Sequence, residues 1–321
     1  MEQNRQAYGP AGELKLARRP ASLWGDAWRR LRRNRAAVAS IVLLILLTLA
    51  AIIGPLVYPY PFDKQNLALS NQPPSAAHPL GTDRLGQDVL ARLLIGARVS
   101  LAVALVAQIV IVLIGLPAGL LAGYFGGWVD NLIMRLVEML YSIPVLLLII
   151  LIMTTLRETL EKSAGVAARA LSAADNATGG LLGTIIGISV IAWIVVARLV
   201  RGEVLTLKER EFVLAARAVG APAWRIMRRH LLPNSLSPVI IAITYGIPQA
   251  IFLEAGLSFL GLGARPPMAS WGLMISEGSR AIRSYPYLVT SPALILAGTM
   301  VCFTFLGDGL RDALDPRTRR F

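Results

Sequence analysis

Six stretches of the chain run for about the length of a membrane crossing without one Asp, Glu, Lys or Arg: 36–57, 99–122, 139–156, 176–197, 231–253 and 284–307. A helix needs about 20 apolar residues to cross a hydrocarbon core of about 30 Å. The pattern therefore predicts an all-α integral membrane protein with six transmembrane helices. Composition agrees: 55% of residues are hydrophobic and 16% charged, against about 45–50% and about 25% in soluble domains. The third run is the shortest and extends toward Trp128 only by taking in Arg135 and Glu138. The fifth is expected to begin after Pro233 and to continue past Glu254 toward Gly261.

Six crossings place both termini on one side. The segments 1–35, 123–131, 201–234 and 308–321 carry twice as many Lys and Arg residues as 58–98, 154–180 and 262–283. The bias predicts that both termini are cytoplasmic. The cluster Arg29, Arg30, Arg32, Arg33 and Arg35 directly precedes the first span, where it would meet the anionic cytoplasmic leaflet. That span has 22 residues and follows a 35-residue polar leader, so it reads as a retained anchor and not as a signal peptide. The expected organisation is a basic cytoplasmic leader (1–35), an N-terminal anchor (36–57) and an extracytoplasmic loop (58–98). A membrane core (99–307) and a cytoplasmic tail (308–321) follow. Five prolines between residues 58 and 80 predict that this part of the loop is irregular or extended.

Much chemistry is excluded by scarcity. None of the four lysines follows a glycine, so no phosphate-binding P-loop exists. The two histidines, His78 and His230, fall on opposite sides of the membrane by this topology and cannot form a zinc site together. Gly307-Asp308-Gly309 lacks a second intramembrane aspartate to share a proton, and Cys302 is a small apolar filler. Arg135 and Glu138 are spaced to pair on one helical turn near the cytoplasmic start of span three. Glu254, past the middle of span five, is the single candidate pathway residue, either wet or protein-paired at a helix end or placed near a cationic group of the cargo. The chain is expected to be no enzyme and to hold no metal or cofactor. A secondary transporter carries ion ligands on several broken helices. This chain shows little of that, so the driving energy is expected from elsewhere.

Residues 205–233 carry the most information. Thr206 is placed to cap a helix over 207–219, whose apolar positions include Phe212, Ala215, Ala216 and Val219. Gly220 then stands where a positive φ is needed, and Pro222 suits the first turn of a second helix. In that helix Trp224, Met227 and Leu231 share one face by spacing, Arg225, Arg228 and Arg229 another, and Pro233 ends it. A rigid helix–turn–helix at the membrane is predicted. It could lie on anionic lipid, bind DNA, or dock in a groove of a cytoplasmic partner.

The run Phe212-Val-Leu-Ala-Ala-Arg-Ala-Val-Gly-Ala-Pro-Ala-Trp-Arg-Ile-Met-Arg-Arg-His-Leu-Leu-Pro-Asn234 resembles the "EAA" loop of ABC importer permeases. His78-Pro-Leu-Gly-Thr-Asp-Arg-Leu-Gly-Gln-Asp88 and Leu253-Glu-Ala-Gly-Leu-Ser-Phe-Leu-Gly-Leu-Gly263 resemble the second permease subunit of the dipeptide/oligopeptide/nickel transport family. So do Ser270-Trp-Gly272 and Leu306-Gly-Asp-Gly-Leu-Arg-Asp-Ala-Leu-Asp-Pro-Arg317. Residues 1–77 match only in layout.

The resemblance implies an ABC-importer permease core preceded by one extra N-terminal helix, forming half of a pathway for peptides or a related small solute. It implies a homologous partner permease, two cytoplasmic ATPase subunits that hold ATP and Mg, and an extracytoplasmic substrate-binding protein. It makes Phe212, Leu214, Ala215, Ala216, Gly220, Trp224, Arg225 and Pro233 an ATPase-coupling loop. Leu214 departs from the pattern, because glutamate is typical there. The alternatives are a stand-alone secondary transporter or channel, and a non-transporting scaffold. His78, Asp83, Trp271 and the Pro266–Pro267 pair are expected to shape the outer surface.

Overall fold

A computed structural model describes residues 23–163 and 165–314 of the chain. The first 22 residues of the basic leader and the tail from residue 315 onward lie outside the described residues. Every named element is helical: α1 (Leu23–Leu31), α2 (Arg35–Val57), α3 (Val89–Phe125), α4 (Gly127–Tyr141), α5 (Val145–Lys162) and α6 (Val166–Ala177), then α7 (Leu181–Leu207), α8 (Glu211–Ala218), α9 (Ala223–Ile226), α10 (Leu232–Phe259), α11 (Trp271–Ser279) and α12 (Tyr287–Leu314).

Among the described residues five stretches are long and apolar enough to cross a membrane: α2, α3, α7, the continuous helix Ala223–Phe259 and α12. The third predicted span is not one straight helix. It is the pair α4–α5, bent by 95° at Ser142–Pro144. Proline 144 has no amide proton to donate and disfavours helical geometry at Ile143, so α4 ends and α5 restarts in a new direction. The helices also outrun the charge-free windows. α3 starts at Val89, capped by the Asp88 carboxylate accepting from Ala91 N at 2.8 Å.

Proline within a span leaves a carbonyl without its helical donor, and in lipid that carbonyl needs another. In α2, Pro55 cannot donate to Ala51 O. Arg98 of α3 does so instead, its Nε 3.1 Å from Ala51 O and an Nη 2.9 Å from Ile52 O. A charge near the edge of the membrane thereby serves the backbone of a neighbouring helix.

The centre of the protein is the α3–α7 seam. Gly115, Gly119 and Gly123 are four apart on α3 and meet Trp193, Val196, Ala197, Val200 and Val204 of α7. A Cβ on Gly119 would stand 2.6 Å from Ala197 O, and one on Gly115 2.7 Å from Trp193 O. Lipid tails are as apolar as the side chains, so helices associate there by close packing, and small residues permit it. Around this seam α5, α10 and α2 pack, and α12 closes on α2 and α10.

The connecting segments gather at two ends of the helices. At one end Arg201 pairs with Asp130 (2.5 Å), Lys208 Nζ donates to Gly123 O (3.3 Å), and α1 packs on the end of α12 through Ala27, Leu31 and Ala313. At the other end Arg157 donates to the carbonyls of Gly180 and Leu262, Arg92 pairs with Glu277, and Tyr287 Oη donates to Thr82 O. Residues 58–88 fold as an ordered turn assembly at this second end. Asp88 accepts from Tyr58 Oη at 3.1 Å and faces His78 Nδ1 at 2.7 Å, and the ring of His78 packs on Tyr60. Burial and the neighbouring Asp88 carboxylate push the Tyr58 phenol well above its ordinary value, so it stays a neutral donor. His78 and Asp83 are thus parts of a built turn. Replacing Gly119 with valine should cost about 1–3 kcal/mol by overpacking, read as a lower melting temperature of the purified protein in detergent, whereas Gly202→Val, with nothing within 4 Å of its Cβ position, should change it far less.

Candidate functional site

Helix α7 continues to Leu207, and the Thr206 hydroxyl donates back to Gly202 O at 3.2 Å. Thr206 therefore lies inside α7 and caps nothing, contrary to the expectation from sequence. α8 begins after Arg210, which takes an extended conformation. Its end follows the anticipated geometry: Gly220 has φ +79°, its N–H donates to Arg217 O, and Ala221 N–H donates to Ala216 O. These two bonds form a Schellman motif, which satisfies the last carbonyls of α8 within the turn itself. Pro222 caps α9 from outside rather than sitting in its first turn.

Proline 233 does not end the second helix. Residues Met227–Leu231 form a π turn that passes directly into α10, with Pro233 in its first turn. The wider i→i+5 turn suits a residue that lacks the i→i−4 donor and crowds that carbonyl. Asn234 Nδ2 donates to His230 O at 2.6 Å and Ser235 Oγ to Leu231 O at 2.9 Å, occupying carbonyls next to the proline.

Burial divides the side chains of this element. Val213, Ile226, Met227 and Leu231 are buried in the main core. Trp224, expected on the Met227–Leu231 face, is instead 68% exposed. It stands out from the body with Phe212, Leu214 and Val219, while Ala215 and Arg225 are exposed, Ala216 half-buried and Pro233 exposed. The element has anchored roots and an apolar tip. Rigid roots make it able to carry a push, and the tip offers area to a partner.

Glu254 is fully buried. Its carboxyl accepts from Ser100 Oγ of α3 and from Ser258 Oγ of α10, each at 2.7 Å. Ser258 Oγ in turn accepts from Ala264 N at 3.2 Å. Just beyond, Ser270 caps α11, and Trp271, fully buried, donates from Nε1 to Leu93 O at 3.3 Å. Glu254 thus ties α3, α10 and the 260–270 loop together, and in this conformation it faces no open passage.

Polar groups that do face open space were not singled out from sequence. A cavity of about 150 Å³ lies between α3, α7 and α10, lined by Gln108, Ala192, Val195, Tyr245, Gly246 and Gln249 among others. Gln108 rests on Gly246, where a Cβ would stand 2.6 Å from its Nε2. Tyr245 Oη donates to Asp308 Oδ1 at 2.5 Å, which gives the Asp308 motif a partner from α10. Neutral amides escape a search for charge, although Gln108 is conspicuous as the one amide in the run 99–122. Among the described residues no group of three or more His, Cys, Asp and Glu side chains is placed to hold a metal ion.

A membrane body with a small-residue seam, a largely apolar cavity that carries Gln108, Tyr245 and Gln249, and an anchored turn at one end is an architecture suited to a transport permease. The sequence profile of the binding-protein-dependent transport system inner membrane component matches residues 115–320, and that of the N-terminal transmembrane domain of oligopeptide transport permease C matches 22–74. The chain is 42% identical to the dipeptide transport system permease protein DppC of Bacillus subtilis over 96% of its own length and 90% of that protein. To the oligopeptide transport system permease protein OppC of Escherichia coli it is 39% identical over 95% of each. Its fold matches the MetNI methionine ABC transporter in inward-facing form with a TM-score of 0.53 at 21% identity, covering 70% of this chain and 96% of that one. The chain belongs to the family of inner-membrane permease components of binding-protein-dependent ABC importers.

Glu254→Gln should lower thermal stability only slightly, because its amide oxygen keeps one serine donor and its amide N–H can donate to the other serine oxygen. Glu254→Leu should destabilise by about 1–3 kcal/mol through unpaired serine hydroxyls, measured as a fall in melting temperature. Near-normal solute uptake by Glu254→Gln is expected alongside.

Proposed function

We propose that this chain is the second permease subunit of an ATP-driven peptide importer, paired with a homologous permease. Two cytoplasmic ATPases, which bind ATP and Mg, meet the exposed tip of residues 211–225, and an extracytoplasmic binding protein delivers the cargo. The relatives named for dipeptides and oligopeptides support the substrate class. The single observation that carries the coupling role is the turn with buried Val213, Ile226, Met227 and Leu231 beneath exposed Phe212, Leu214, Val219 and Trp224. The charge bias of the loops supports placing this turn, and both termini, in the cytoplasm.

In this reading, closure of the ATPases displaces the tip, and the unbroken helix from Ala223 to Phe259 carries the movement along α10. α7 enters the same turn and moves with it. The cavity beside Gln108, Tyr245 and Gln249 lies between the helices being moved. Coupling can be no larger than the difference in contact energy at the tip between the two states. Leu214 in place of an acid makes that contact more apolar here. A stand-alone transporter would move solute in vesicles lacking any ATPase, whereas this reading predicts none without the partners.

The decisive experiment is purification in mild detergent with identification of the associated chains, followed by peptide uptake into vesicles holding the reconstituted set. Co-purifying ATPases and ATP-dependent uptake that needs the binding protein are expected. Within that assay Gly220→Val should lower transport-linked ATP hydrolysis severalfold. Nothing lies within 4 Å of its Cβ position, so the effect arises from about 1–2 kcal/mol of left-handed backbone strain. Gly220→Asn, which tolerates that conformation, should retain most of the activity.

A further inference from the structure

A second cavity, of about 200 Å³, lies at the end of the protein opposite the 208–222 turn, between the 58–88 segment, the start of α3, α11 and the start of α12. Its polar lining is Asn71, Asp83, Arg84, Arg92, Glu277 and Arg280. Arg92 is the organising group, with its side chain 6% exposed. One Nη donates to Asp83 and the other to Glu277 at 2.8 Å. Its Nε–H is buried and has no acceptor, and Asn71 Oδ1, also buried, has no donor.

The charges do not balance. Asp83 is committed to Arg92 and to the backbone amides of Leu85 and Gln87 at 2.8 and 2.9 Å, and Glu277 is committed to Arg92. Arg84 and Arg280 are exposed on the rim, and neither guanidinium pairs with a carboxylate among the described residues. Three guanidiniums thus face two carboxylates, and the edge of Arg92 formed by Nε and Nη is only half used. A planar carboxylate fits such an edge, because two parallel N–H donors match its two oxygens; it takes the free Nε–H and shares or displaces Glu277, whose side chain is 40% exposed, at the adjoining Nη.

We infer that this cavity is a socket for an acidic side chain of the extracytoplasmic binding protein. The inference rests on the importer reading, which supplies a protein partner on that side, and it deepens it by naming where and by what chemistry that partner is held. The position suits the task. α11, which carries Glu277, is capped at Ser270 and packs at Trp271 on Leu93 of α3. An anion drawn to Arg92 therefore acts on the element adjoining the Glu254 junction. Rim charges steer a partner and set register, and their effect is screened by salt.

The test uses the reconstituted complex in lipid discs and reads stimulation of ATP hydrolysis against binding-protein concentration, at low and high ionic strength. The double variant Arg84→Gln/Arg280→Gln, at exposed positions with no ion pair to lose, should raise the half-maximal concentration about tenfold at low salt. It should also flatten the salt dependence. Arg169→Gln, an exposed charge on α6 at the same end, should shift neither. Equal curves for the double variant and the wild type, or an equal shift from Arg169→Gln, would overturn the socket while leaving the importer reading intact. A changed response to free peptide with unchanged binding-protein docking would overturn it in favour of a small-solute site. A wild-type complex that no binding protein stimulates would overturn the importer reading and the socket together.

Discussion

The close approach of α3 and α7 is the constraint on which the rest of the protein depends. In lipid, burial of apolar surface does little to hold helices together, so packing must. Three glycines spaced four apart let one helix lie against the backbone of the other, with carbonyl oxygens of Trp193 and Ala197 where side chains would otherwise stand. That seam fixes two helices whose far ends carry different tasks. The N-terminal end of α3 holds Arg92 and Ser100, and the C-terminal end of α7 leads into the 208–222 turn. In the proposed coupling, a rigid centre lets an event at one end be felt at the other.

Polar side chains at the ends of the spans serve backbone and junctions in several places. Arg98 supplies the donor that Pro55 withholds from Ala51 O, Ser258 links Glu254 to the loop at Ala264, and Arg157 holds the carbonyls of Gly180 and Leu262. Each compensates for an irregular stretch at the membrane boundary, where unpaired groups are costly. The spans are rich in proline, with Pro55, Pro117, Pro238, Pro248 and Pro292 inside helices, and at Pro55 the missing donor is replaced by Arg98.

Most of the architecture was legible in the chain, because the absence of charge over about 20 residues has few physical meanings. What escaped was local. Charge counting clipped α3 at Val99, although Arg92 and Arg98 sit at its outer turns and find carboxylate and carbonyl partners. Pro144 was read as part of a span and instead turns it. At 223–231 the spacing argument assumed an α turn. Trp224 lies in the α turn before the widening begins, and spacing alone did not reveal that it stands outside the body while Met227 and Leu231 are buried. Ser258, four residues after Glu254, could be anticipated from helical spacing. Ser100, 154 residues away, could not, because only the fold brings it near. The glycine repeat 115-119-123 was visible, but repeats of small residues acquire meaning only with a partner helix.

The central claim is that a turn with fixed roots and an apolar tip faces the cell interior and there receives work done by other subunits. Labelling tests it most directly. Cysteine placed at position 224 in a Cys302→Ser background can be probed with a membrane-impermeant thiol reagent in intact cells and in inside-out vesicles, with and without the ATPases. The account predicts modification only in inside-out vesicles, and protection when the ATPases are bound. Modification in intact cells, or equal reactivity with and without them, would contradict it.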